Sequence, residues 1–206
     1  MKRGKLGKPL GGKLNLYLFV GVLIAVGAVF GALVVNALSL EQQQSLSDEL
    51  GAYLGGTAAG AEAPIDVFRD RLFFHLKWLG LIWILGISVV GSPFVLALDF
   101  LKGVLIGFAV GLTVRHLAWK GVAVSLAVVA PQNLVIVPAL AIASVSAIRF
   151  AYYVGRERLF LGRGQLLPPL ASHTGTSAAL FIVLGIAAMW EAFVVPHLVA
   201  GLSGWL

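Results

Sequence analysis

Residues 14–38 read LNLYLFVGVLIAVGAVFGALVVNAL, about 25 positions without a charge. The hydrocarbon core of a bilayer takes roughly 20 predominantly apolar residues per helix, so this run is long enough to cross it. A cleaved signal peptide has an apolar region of only about 7–15 residues. The run is therefore predicted to be a retained signal-anchor helix, even though Val35-Asn36-Ala37 has the small-residue look of a cleavage site. Lys2, Arg3, Lys5, Lys8 and Lys13 precede it with no acid among them.

The rest of the chain has the same character. Hydrophobic residues make up 59% and charged residues 12% of 206 positions, with a mean hydropathy of +0.96. Soluble domains are about 45–50% apolar, so the solvent of this fold is lipid. The length holds about five or six spans and leaves no room for a large soluble domain. With no cysteine, disulfide frameworks, thiolate nucleophiles and cysteine metal sites are excluded. The net charge of +6 reads as a record of membrane orientation rather than of nucleic-acid binding, so no nucleic-acid partner is expected.

The fold expected is an all-α integral membrane protein of about five transmembrane helices, a single multi-pass domain over residues 1–206. After the first span, residues 39–71 are the longest polar stretch, with Glu41, Asp48, Glu49, Glu62, Asp66 and Asp70 against Arg69 and Arg71. Ser39 stands before a helical segment, Gly55 to Ala63 reads as a flexible break, and Pro64 suits the start of an amphipathic helix leading into the membrane. Further spans are predicted from about Phe73 to Gly91, Phe94 to Val114, Trp119 to Ile148 and Thr176 to Val199. Ser92-Pro93 turns the chain between the first two of these. The span from Trp119 is broken near Pro131 by Ala130-Pro131-Gln132-Asn133, and again at Pro138. Lys and Arg concentrate on cytoplasmic loops, which places the N-terminus and the 149–175 loop inside. The 39–75 loop, with its short amphipathic helices, and the C-terminus then lie outside; Arg115 and Lys120 are the dissenting charges.

Several residues are candidates for more than lipid contact. Gly103, Gly107 and Gly111 recur every four positions, and Gly27 and Gly31 repeat the spacing, which lets a neighbouring backbone approach closely. That neighbour is either within the chain or in a second copy, giving a homo-oligomer. Asp99 precedes Lys102 by three residues, and ions within a membrane are costly enough to mark a pathway, a relay or an interhelix bond; the simplest reading is that the two pair. Glu191 is expected to bond a neighbouring helix, with Lys102 a conceivable partner. Gln132 and Asn133 either cap a kink at Pro131 or, as in transporters with broken helices, line a substrate site. His197 has no second ligand at metal-binding spacing, so neither metal nor cofactor is expected. Gly201-Leu202-Ser203-Gly204 matches an intramembrane serine-protease pattern by chance, since no later helix supplies a histidine; no catalytic residue is assigned. Asp48 and Glu49, with Phe68, Leu72 and Phe73 at near-helical spacing, form a candidate docking face on the outer segment.

The segment Leu76-Lys77-Trp78-Leu79-Gly80-Leu81-Ile82-Trp83-Ile84-Leu85-Gly86-Ile87-Ser88-Val89-Val90-Gly91 resembles the stage II sporulation protein M family. So do Leu101-Lys102-Gly103-Val104, Gly107-Phe108 and Pro131-Gln132-Asn133-Leu134, and earlier Leu16-Tyr17-Leu18-Phe19-Val20 and Phe30-Gly31-Ala32-Leu33-Val34-Val35-Asn36. The resemblance covers roughly residues 14–150, more loosely the final span. It implies a non-enzymatic scaffold of the septal and engulfing membrane in endospore formation, which recruits protein P and through it protein D, enzymes that cut septal peptidoglycan. The competing reading is a small transporter or channel using Asp99, Asn133 and Glu191. It requires those three to converge on one cavity.

Overall fold

The computed structural model describes residues 11–60, 62–160 and 165–204 and is helical throughout these, apart from turns. Helix α1 is Gly11–Ala37, α2 Leu40–Ala58, α3 Pro64–Ile87, α4 Ser92–Leu117, α5 Trp119–Val124, α6 Ala130–Tyr153, α7 Leu167–Phe193 and α8 Val195–Ser203. Among the described residues four stretches are long and apolar enough to cross a membrane: Leu14–Ala37, Val89–Leu117, Trp119–Glu157 and Leu167–Leu202. The fifth expected span, in α3, falls short on composition because Asp70, Arg71 and Lys77 lie along it. It nevertheless packs along α7 and α6, with His75, Trp78, Leu79, Ile82 and Gly86 forming its buried stripe.

The two glycine rows face each other. A Cβ at Gly103 would fall on the Ile24 carbonyl, one at Gly107 on that of Ala28, and one at Gly111 would come 3.0 Å from the Ala32 Cα; Gly27 and Gly31 meet the Phe100 and Val104 carbonyls in return. Backbones this close permit Cα–H···O contacts and dense van der Waals packing where lipid offers no hydrophobic drive. The close approach is thus made within the chain, between α1 and α4, and both rows are covered there rather than open to a second copy. At the far end of this pair, Arg115 Nη1 donates to Asn36 Oδ1 at 2.8 Å. The dissenting cation thereby sits where the C-terminal dipole of α1 favours it.

Local chemistry explains the element ends. Ser39 caps α2: its hydroxyl accepts from Gln42 N, and Gln42 Oε1 accepts from Ser39 N, a reciprocal capping box. The expected break at Gly55 comes later, since α2 continues to Ala58 because Leu50 and Leu54 pack with Val195 and Val199 of α8 and Val124 and Val128. Proline sits in the first turn of α3, α4, α7 and α8, where its missing N–H is readily accommodated. The expected interruption near Pro131 takes the form of a wide π-helical turn, Ser125–Val129, with Ala130 N donating to Ser125 O. The helical path continues through it, and Pro138 lies inside α6 without ending it.

Candidate functional site

The buried polar groups lie on the inner stripes of their helices. On α7 the stripe runs His173, Ser177, Leu180, Leu184, Ala187, Ala188, Glu191, at the three- and four-residue spacing of one face. Glu191 is 7% exposed, and its partners come from α3. His75 Nε2 lies 2.9 Å from Oε1 and Arg71 Nε 3.5 Å from Oε2. Arg71 also donates to Tyr53 Oη of α2 at 3.2 Å, so one guanidinium joins three helices. Lower on α7, His173 Nδ1 is 3.0 Å from Ser146 Oγ, and the ring stacks on Phe150 with centroids 5.6 Å apart. A Cβ on Gly86 would come 3.0 Å from His173 Nε2 and nearer still to Ala147, so α3, α6 and α7 meet there through small residues.

Asp99 and Lys102 are both buried, and the simple pairing expected of them is absent. Asp99, 2% exposed, accepts at Oδ1 from Ser144 Oγ of α6 at 2.7 Å; its Oδ2 has no partner among the described residues. Lys102 points the other way, toward α3, with Nζ 5.4 Å from the Phe74 ring centroid and 5.6 Å from that of Trp78. Three residues along a helix leave the two side chains only about 60° apart, and they diverge because each is held by a different neighbour, Asp99 by α6 and Lys102 by α3. Lys102 is within electrostatic reach of Glu191, but it makes no ion pair with it. Asn133 Nδ2 donates to Val129 O at 2.8 Å, at the end of the π turn, while Asn133 Oδ1 and Gln132 Oε1 are buried without partners among the described residues.

A cavity of about 450 Å³ opens where α2, the start of α3, the end of α7 and α8 meet. Tyr53, Arg71, Glu191, Phe193 and His197 line it. The bend at Val194, with Pro196 in the first turn of α8, brings Glu191 and His197 to this one space although six residues separate them. Asp99 and Asn133 do not line it. The convergence that transport requires therefore fails for two of the three groups. Among the described residues no set of three His, Cys, Asp or Glu side chains could hold a metal ion. Of the candidate docking residues, Asp48 and Glu49 are exposed on α2 and Phe68 is half-buried. Phe73 is exposed, with Lys77 Nζ 4.4 Å over its ring. Leu72 is half-buried, with its Cδ1 beside Gly185 of α7. The side chain of Ser203 lies outside the described residues.

His75, Arg71 and Ser144 were not singled out in the sequence. His75 was accessible to it: the spacing 75, 78, 79, 82, 86 puts a histidine on an otherwise apolar stripe, and a buried polar group needs a partner. Which helix supplies that partner depends on the adjacency of α3 and α7.

These features define a helical, multi-pass membrane protein whose buried carboxylates, Asp99 and Glu191, bond helix to helix. A family model for stage II sporulation protein M matches residues 20–196. The chain belongs to that family, and is a sporulation-related membrane protein. No curated protein and no solved structure gave a significant match.

Proposed function

We propose that this chain is a non-enzymatic scaffold of the cell membrane that localises peptidoglycan hydrolases, stage II sporulation proteins P and D, at the septal and engulfing membrane during endospore formation. The observation that carries the reading, beside family membership, is how the buried charges are used. Glu191 and Asp99 each bond another helix, and the cavity at the α2 end contains one of the three groups a conducting path would need. Such a bundle uses its buried acids to join helices and presents a shaped, acidic surface rather than a route through the membrane. The charge rule puts the α2 end outside the cytoplasm, on the side where peptidoglycan lies.

The test is capture of the tagged, detergent-solubilised chain from a sporulating lysate, with both hydrolases followed by immunodetection. Co-capture of protein P, and of protein D only when P is present, is the expected result. A well-folded chain that captures neither hydrolase would sink the proposal. Ion flux through proteoliposomes, abolished by Asp99→Asn, would replace it with transport.

A further inference from the structure

At the end of the bundle opposite α2 lies a second concavity, a groove of about 480 Å³ between the 3-10 turn Val89–Gly91, the start of α4 and the end of α6. Its walls are Val89, Ile148, Ala151 and Gly155, and its polar atoms come from Ser92, Tyr152 and Arg156. Arg156 is exposed. Its Nη1 lies 3.4 Å from Tyr152 Oη, a long contact, and among the described residues its guanidinium has no carboxylate partner. Glu157, the adjacent acid, does not line the groove.

The surroundings indicate the medium from which an occupant comes. Val90 is 71% and Phe94 58% exposed beside the groove, and apolar side chains bared at the end of a membrane helix face acyl chains rather than water. Tyr152, also exposed, is of the type enriched where hydrocarbon meets headgroups. A basic group over an apolar slot between helix ends suits an acidic lipid headgroup with the beginning of its acyl chain below it.

We propose that this groove is a binding site for one acidic phospholipid, its phosphate held by Arg156 with the Ser92 hydroxyl, and its chain lying along Ile148, Ala151 and Val89. The site holds the turn between α3 and α4 against α6 through the lipid. It is independent of the hydrolase-scaffold reading.

The test uses the full chain purified in mild detergent and titrated with phosphatidylglycerol or phosphatidylcholine, bound lipid being counted by native mass spectrometry. Phosphatidylglycerol should be retained in preference to phosphatidylcholine, and Arg156→Gln should cut that preference about fivefold, the worth of one interfacial cation. Arg149→Gln, an exposed neighbour outside the groove, should leave it unchanged. Equal retention of the two lipids, or equal loss in both variants, would overturn the proposal, because the effect would then be general surface charge. Displacement by millimolar inorganic phosphate would also overturn it in favour of a water-borne anion. Both substitutions are at exposed positions, so a failure to bind can be separated from a failure to fold by the thermal transition of each variant.

Discussion

Glu191 shows what a single buried acid does in this bundle. It meets His75 and Arg71, so its removal leaves a buried imidazole without its partner and a partly buried cation with only the Tyr53 hydroxyl. Breaking a buried pair by deleting one partner costs about 3–5 kcal/mol, whereas replacing both by apolar groups of similar shape is often neutral. Glu191→Ala should therefore lower thermal stability in detergent sharply, and His75→Phe with Glu191→Leu should recover most of the loss. If the double variant is no more stable than Glu191→Ala, the bond is not what the acid contributes. The glycines permit a cleaner comparison. A Cβ at Gly107 strikes the Ala28 carbonyl, while one at Gly21 meets nothing within 4 Å. Gly107→Ala should lose about 1–3 kcal/mol to overpacking, and Gly21→Ala should be neutral or gain up to about 1 kcal/mol from helix propensity. Equal melting temperatures for the two would remove the close-approach account of α1 and α4.

Elements were legible in the sequence where one local cause decides them. Long, strongly apolar runs located α1, α4, α6 and α7, Ser39 marked the start of α2, and Pro64 and Pro93 marked those of α3 and α4. Less was legible where the cause is tertiary. Gly55 and Gly56 argue for a break, but the packing of Leu54 against α8 keeps α2 helical to Ala58. Pro131 argues for an interruption, but the π turn before it widens the helix enough to continue. The partners of Asp99 and Glu191 were hidden for a similar reason: each lies on another helix, 45 and 116 residues away, whereas only neighbours along the same helix can be read from spacing. The turn between α4 and α5 is a further case. Ala118 there has φ 51° and ψ −133°, a conformation costly for a side chain with a Cβ. The chain holds it because Gly121 lies against the Thr113 carbonyl and donates its N–H to Ala118 O, closing the hairpin. Ala118→Gly should relieve that strain and stabilise the protein by about 1 kcal/mol, read as a higher melting temperature. A lower one would mean that the turn is not strained.

At the scale of the molecule the two ends of the bundle differ. One carries α2, α8 and the Arg71–Glu191 cavity; the other carries the exposed Arg149 and Arg156. The positive-inside rule then predicts that a reporter fused at Gly12 is cytoplasmic and one in the Gly55–Gly60 stretch external; the reverse accessibility would invalidate any docking argument built on α2. With that orientation, the proposed scaffold role would use α2 as the surface that meets a hydrolase. Its inner face is fixed to the bundle by Leu50 and Leu54, and its outer face presents Glu41, Asp48 and Glu49 to solvent. A fixed acidic helix beside a cavity offers a basic partner charge complementarity, which chiefly governs encounter and register. Because Asp48 and Glu49 make no ion pair among the described residues, reversing both to lysine should leave membrane levels and melting temperature unchanged. Co-capture of the hydrolase should fall several-fold, and the residual binding should lose much of its dependence on salt. If capture persists at full strength while the reporters confirm the orientation, docking uses the helices or the cavity mouth instead, and α2 serves only to cover the end of the bundle.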